Sequence, residues 1–456
     1  MCVFFLSVEA RGNDWTLQSG VNRKNDLMLQ LSSFNAEIST ADRQKKYQKM
    51  TTSPLTFYRG TAHLYYSDLD RQQVIAASAF SHVDAVTWLQ GDMHMQNYGA
   101  FDDDTGTVVF DLNDFDESWV DSYLYDAYRN AGSLVLVADE QGFNSPLEQQ
   151  QIVDAFSESY LDTVDSYRNN DNEKNAKITQ ANAYGILDEF LLLVSTDNSR
   201  KKMLNKWTND LGSQRYFDLS YGKLSALTSV ERAALTTAIN QYYLNLSSKL
   251  SGNSAYFTVL DVARRINAGT GSLGTTRYYV LIEGDSTSDN DDRILDVKLQ
   301  GMPSMFPYLS STSQQNLLKR FSASEQGCRV VSAQKALLTD VDDHLGCTTI
   351  NRDSYSVREV SSFKDSFDTT ALTSMTRFVK LAQQWGTILA TAHARSDKDF
   401  DASLVAYQFE NVMDSIANHR HAEFRAEVFA FSSRYAEQVA IDFTLFNQLL
   451  AEGLLN

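Results

Sequence analysis

The sequence predicts an α+β chain organised as two lobes, and three observations carry that expectation. Residues 86–117 alternate short apolar runs with turns, the pattern of a strand followed by a hairpin. Long stretches elsewhere, notably 122–140 and 375–395, place apolar residues at helical intervals. A separate β-rich block lies at 257–299. With 456 residues and 43% hydrophobic content, the chain is long enough to bury more than one core.

Fifty-eight Asp and Glu against 40 Lys and Arg give a formal net charge of -18. Such a field repels nucleic-acid backbones and anionic membrane surfaces, so neither is an expected partner. No run approaches the roughly 18 to 20 apolar residues that cross a bilayer. Residues 1–8 are apolar but lack the basic leader and longer apolar core of a signal peptide. They are expected to form a loosely packed start, with the cytoplasm as default compartment; a signal sequence hidden by the choice of start codon stays open. Cys2, Cys328 and Cys347 fall in no paired spacing, which signals neither a zinc site nor a disulfide and leaves unpaired thiols as the expectation.

The most informative stretch is 86–117, VTWLQGDMHMQNYGAFDDDTGTVVFDLNDFDE. Residues 86–89 read as a strand, and 98–101 with 107–111 as a hairpin closed by Asp103-Asp104-Thr105-Gly106. The loop before the hairpin carries Asp92 and, five residues on, Asn97; the hairpin's far end delivers Asp114 and Asp116. These carboxylates and the amide therefore gather at one rim. Phosphoryl transfer uses such a set: one carboxylate orients the attacking hydroxyl, while an Asn and another Asp hold magnesium on the nucleotide phosphates. A solvated acidic face is the alternative for a lone D-x-x-x-x-N, and the hairpin spacing favours the metal-phosphate reading.

G-D-x-H-x-x-N followed by D-F-D resembles the catalytic and metal-binding loops of the protein-kinase-like superfamily, especially its aminoglycoside and choline kinase branch. Asp126, twelve residues after Asp114, falls where those kinases place a buried Asp at a helix start. From about residue 43 onward the chain also resembles the bacterial family catalogued as domain of unknown function 2252, through KMTTSPLTFYRG, QGDMHMQNYG, NDFDE, GTGSLGTTRYYVL and LATAHARS. The kinase resemblance implies ATP and Mg2+ as cofactors. Asp92 would be the catalytic residue that orients the acceptor, Asn97 and Asp114 the metal ligands, and Asp116 an aid to a second ion. Asp111 lies near the spacing of a kinase metal ligand too, but Asp-Phe-Asp and Asp126 align with Asp114, which leaves Asp111 a supporting place. His94 sits where small-molecule kinases often carry His, leaning the acceptor toward a small molecule. Gln90 departs from the usual His two residues before Asp92.

The remaining elements follow in order. Residues 43–50 have helical spacing, and 53–60, SPLTFYRG, is expected to be extended between Pro54 and Gly60. Arg59 within it has two readings, a phosphate contact through its planar fork or an ion pair to the acidic rim. The helix over 122–140 starts near Asp126, where a carboxylate can hold backbone donors of the Asp92 loop. Helices are expected over 148–168, 181–194 and 230–250, with a polar loop at 168–175.

A strand over 257–266 then leads into Gly269, Gly271, Ser272 and Gly274, followed by strands at 275–284 and 294–300, the latter carrying Lys298. A Rossmann glycine loop runs into a helix, whereas this one runs into β-branched and aromatic residues, as does the loop that covers nucleotide phosphates in kinases. Lys298 then matches the lysine that pairs the nucleotide phosphates, the alternative being an exposed edge-strand lysine. Glu325 is its candidate acidic partner. Residues 355–360 form the strand joining the lobes, and the helix at 375–395 ends on His393, which either faces the Asp92 loop or caps the helix. Apolar spacing over 404–450 assigns that segment to packing.

In ordinary kinases the glycine-loop lobe comes first, yet here Asp92 precedes Lys298. The resemblance therefore implies a circularly permuted, two-lobed kinase-like fold. Its parts are an N-terminal extension to residue 42, a catalytic-loop and helical lobe over 43–252, a nucleotide-binding β lobe over 253–360, and C-terminal helices over 361–456 that return to the helical lobe. The implied function is ATP- and Mg-dependent phosphotransfer to a hydroxyl acceptor, a small molecule being favoured. Transfer of AMP to a protein hydroxyl and nucleotide binding without chemistry are the alternatives.

Overall fold

Apolar side chains recurring on one face draw the longest helices together. In the computed structural model, which describes residues 15–210, 214–266, 269, 273–286, 288 and 290–455, the helix Met375–Arg395 packs along Pro146–Ser166. The second of these starts at a capping box, in which Ser145 and Glu148 satisfy each other's backbone donors behind Pro146. The two helices cross at Gly386, where a Cβ would stand 2.3 Å from Phe156 O. Leu124–Glu140 and His421–Ala451 complete the helical layer. Arg23, buried, bonds Asp68 at 2.7 Å and Asp442 at 2.8 Å, so the early helix Gly20–Phe34 is tied into this layer as well.

Thirteen strands are described: β1 (Val86–Leu89), β2 (Tyr98–Asp102), β3 (Val108–Leu112), β4 (Trp119–Ser122), β5 (Ile178–Thr179), β6 (Thr208–Asp210), β7 (Arg215–Phe217), β8 (Leu224–Ser225), β9 (Val259–Arg265), β10 (Arg277–Ile282), β11 (Arg293–Leu299), β12 (Gly346–Ile350) and β13 (Asp353–Glu359). β1 pairs with β4, and β2, β3 and β5 form a second small sheet. The largest sheet has the antiparallel order β12-β13-β11-β10-β9-β8. It draws in residues upstream of 253, because β8 is its edge and the helix Ser229–Tyr242 covers one face.

Strand alternation sorts this sheet's two faces. Tyr278, Val280, Leu295, Val297 and Val357 enter a core with Leu235 and Ile239. The opposite face carries Arg277 across from Lys298, and Asp296 between Tyr279 and Arg358. Beyond β13 the chain pairs Asp365 with Ala100 of β2, which links this sheet to the hairpin of the Asp92 segment.

Several expectations need correction. SPLTFYRG is not extended: Pro54–Arg59 is helical, because Ser53 caps the Thr56 N–H and Pro54 fits the first turn. The polar stretch at 168–175 is a loop as expected, with one short 3-10 turn, Asn172–Lys174. Cys328 and Cys347 are not free thiols but a disulfide, with Cα atoms 5.1 Å apart; the helix Gln326–Leu337 lies beside β12 and brings them together. Cys2 and the expected loose start over 1–8 lie outside the described residues, as do Gly271 and Ser272. No described helix is long and apolar enough to cross a membrane.

Candidate functional site

Asp92 follows β1 in a loop whose shape depends on Gly91. That residue has φ +89°, and a Cβ on it would stand 2.1 Å from Glu117 O. Only glycine allows the loop to pass so close to the segment after Asp116. Asp126, buried at the start of Leu124–Glu140, accepts hydrogen bonds from the backbone N–H groups of Gln90 at 2.7 Å and Gly91 at 3.0 Å. Its other contact is His393, at 3.4 Å from Nε2, while His393 Nδ1 meets the Tyr160 hydroxyl at 2.7 Å. His393 thus sits behind the loop and meets it through Asp126, which holds Gln90 and Gly91.

Gln90, in the place of the expected His, joins the two halves of the site. Its amide donates to the carbonyls of Asn113, at 3.2 Å, and Asp114, and its Oε1 accepts from the Asp92 N–H at 2.9 Å. Asn97 donates from Nδ2 to Asp92 O at 2.8 Å, so its Oδ1 is the atom it can offer a cation. Its own carbonyl accepts from the Asn113 N–H at 2.7 Å, which sets the two loops side by side. Asp114 adopts φ +61°, a left-handed conformation that Asp tolerates better than most residues.

Lys298 reaches this rim from β11. Its ammonium lies 3.2 Å from Asp114 Oδ1 and also pairs with Asp116, whereas Glu325, the expected partner, caps Ser322 at an exposed 3-10 turn. The cause is local: Ser322-x-x-Glu325 is a capping box, and the Asp-Phe-Asp loop supplies both counter-charges. Burial opposes the Lys298 charge, but Asp114 and Asp116 outweigh it and raise its pKa. Burial also opposes ionisation of Asp114, yet Lys298 and Arg358 hold it well below the usual carboxylate range. Asp116 moves up, through burial and the nearby Asp114. Gln300 bonds Asp116 at 2.9 Å.

Asp92 is held from behind by Arg129, whose Nε lies 2.7 Å from Oδ1 and whose Nη2 bonds both Asp92 and Tyr58 O. Burial pushes the Asp92 carboxyl up to about 6, against the lowering effect of Arg129. Glu117 rises to about 7 through burial, although it accepts a hydrogen bond from the Ser304 N–H. His94 stands 3.6 Å from Asp92 Oδ2, and burial keeps its imidazole neutral. Arg59, at the end of Pro54–Arg59, lies in the field of Asp92 and Asp114. Asp111 does not join them: it is buried on β3 in the field of Arg395, with burial lifting it to about 6.

Beside the rim lies a cavity of about 310 Å³, lined in part by Phe115, Arg277, Tyr279, Asp296, Arg358 and Lys364. Arg277 binds Asp296 in a two-pronged pair, and Arg358 Nη1 lies 3.3 Å from Asn113 Oδ1. Burial, with Arg358 and Arg277 close by, depresses Lys364 to about 7. Arg277 opens β10 three residues after Gly274 and stands opposite Lys298, so Gly274 lies toward the Lys298 end of the sheet. Gly269 is exposed, and the exposed Gly274 approaches Ile38.

Arg129 and Arg329 escaped the sequence reading, which marked Gln90 only as a departure from the usual His. Arg329, on Gln326–Leu337, is fully buried and donates to Asp116 O at 2.7 Å and Gly301 O at 3.0 Å, clamping the Asp-Phe-Asp loop to the sheet. An Arg on an amphipathic helix reads as exposed, so only the apolar residues around it could have signalled burial. Elsewhere Asp342, His344 and Glu359 stand within ligand distance of one another, but His344 engages Asp342 and Tyr256 with its two ring nitrogens and the group is closed upon itself.

No curated protein and no solved structure matches the chain. Residues 41–449 match the family model described as an uncharacterized protein conserved in bacteria (DUF2252), and the chain belongs to that family.

Proposed function

We propose that this member of the DUF2252 family is an ATP- and Mg2+-dependent phosphotransferase that acts on the hydroxyl of a small molecule. The observation that carries this reading is the meeting of Lys298 with Asp114 and Asp116 on the rim that also holds Asp92 and Asn97. Oxygen donors of this kind suit Mg2+. Asp114, Asp116 and Asn97 Oδ1 would hold the ion, which supplies charge neutralisation for the transferred group. Lys298 is the cation best placed to meet nucleotide phosphates, and the adjoining cavity, within the size range of ligand pockets, carries Arg277 and Arg358 among a larger number of carboxylates, Asp296 and Glu359 included. Asp92, fixed by Arg129 and by the Asp126-held loop, would orient the acceptor hydroxyl and accept its proton.

The order of parts supports a circularly permuted kinase-like architecture. β9 and β10 flank the glycine segment, β11 carries the lysine, and β13 leads out of the sheet toward the hairpin. All of these follow the Asp92 loop in the chain. ATP labelled at the γ or the α position, incubated with the protein and a panel of hydroxyl compounds, tests the reading. Label arriving from the γ position, and lost in Asp92→Asn while nucleotide binding persists, supports phosphotransfer. Label from the α position indicates AMP transfer instead, and no label with no nucleotide binding refutes both.

A further inference from the structure

Behind Asp92 the N-terminal segment gathers nitrogen groups whose hydrogen-bonding capacity is largely unused. His63 is 5% exposed, and neither of its ring nitrogens has a partner. Arg129 engages Asp92 and Tyr58 through Nε and Nη2, but its buried Nη1 has none. The buried Nε of Arg59 is likewise unbonded. Lys46, 2% exposed, bonds Asn35 Oδ1 at 2.8 Å.

His63 lies in the field of Lys46 and Arg129, and Arg59 in that of Asp92, which Arg129 bonds. His63 stacks on Phe34 with ring centres 3.9 Å apart, and the Lys46 ammonium stands 5.2 Å from the same ring. Arg129 lies 4.2 Å from the ring centre of Tyr58, the residue before Arg59. Lys46 in turn feels the charges of Glu117 and Asp92. Each buried donor left unbonded destabilises a fold, and native structures rarely collect several without a ligand or ordered water to satisfy them.

Charge nearby points the same way. Lys45, Arg59, Lys223 and Arg265 crowd Lys49, which burial and their repulsion hold below its ordinary pKa. This is a local positive patch, shared by the N-terminal helices and the end of β9, in a chain of net charge -18. Such a patch concentrates anions.

We propose that the acceptor carries an oxyanion, phosphate or carboxylate, besides its hydroxyl, and that Arg59, His63, Arg129 and Lys46 hold this group while the hydroxyl lies at Asp92. The inference rests on the phosphotransferase reading for the hydroxyl and stands apart from it for the oxyanion. In the transfer, the bond between the acceptor oxygen and the γ-phosphorus forms, the bond from that phosphorus to the β–γ bridging oxygen breaks, ADP leaves, and the hydroxyl proton passes to Asp92.

Thermal unfolding of the full chain, saturated with Mg2+ and a non-hydrolysable ATP analogue, tests it as inorganic phosphate or acetate is added. A further rise in Tm of a few degrees with either anion, lost in Arg59→Gln and in His63→Phe while both variants keep the nucleotide-induced rise, is expected. Phosphate as the effective anion assigns a phosphorylated acceptor, and acetate a carboxylated one. No rise with either anion, or an equal rise in both variants, overturns the proposal. If the nucleotide itself produces no rise, the phosphotransferase reading fails, and the same anion titration without nucleotide then decides the oxyanion site by the same outcomes.

Discussion

Lys298 and Asp114 stand 3.2 Å apart although 184 residues separate them in the chain. The contact joins the largest sheet to the loop after β3, and Asp116 shares the same ammonium. Lys298→Met removes the only cation that touches both carboxylates among the described residues. Nucleotide affinity is expected to fall at least tenfold, about 1.4 kcal/mol, measured by calorimetric titration. An unchanged affinity would mean that Lys298 serves the fold alone.

The acid limb of the activity profile follows from Asp92. Burial raises its carboxyl to about 6, so the group is protonated below that pH and ionised above it. A residue that accepts the hydroxyl proton must be ionised, so activity is expected to rise through about pH 6. Arg129 favours the ionised form, and Arg129→Met therefore moves the limb to higher pH. A limb that stays in place would detach Asp92 from the proton transfer.

Gly91→Ala puts a methyl group 2.1 Å from Glu117 O at φ +89°. Left-handed backbone at a non-glycine residue costs about 1 to 2 kcal/mol before the clash is counted. A loss of at least that size in denaturant unfolding, with activity abolished, is expected; a variant of parental stability would show that the loop can move aside.

The Cys328–Cys347 disulfide closes a loop of 19 residues between the helix Gln326–Leu337 and β12. A cross-link of that span stabilises by about 3 kcal/mol. Cys328→Ser with Cys347→Ser should lower the free energy of unfolding by that order. Thiol alkylation followed by intact-mass measurement should find neither cysteine reactive until reductant is added. Free reactive thiols at both positions would contradict the pairing.

Much of the site could be read from the chain because its residues are local. Asp92 and Asn97 share one loop and Asp114 and Asp116 another, and the alternation of 98–112 shows that a hairpin unites them. The lysine strand was legible for the same reason, from short apolar runs bounded by turns. What joins distant segments was not. Nothing in the spacing of Cys328 and Cys347 says that a helix will lie beside a strand, and Arg129 and Arg329 carry charges that ordinarily mark a solvated face. Glu325 misled because an acid on a helix suits a lysine partner, while Ser322 three residues earlier marks it as a cap. SPLTFYRG read as extended because its proline and glycine look like breaks, whereas Ser53 and Pro54 begin a helix.

The most direct measurement is ATP titration by calorimetry, with and without magnesium, of the parent chain and of Asp114→Ala. The expected result is binding in the parent that strengthens with magnesium and a variant in which that strengthening is gone. Absence of ATP binding in the parent, or a magnesium effect that survives in Asp114→Ala, would contradict the assignment of this rim to a metal-bound nucleotide.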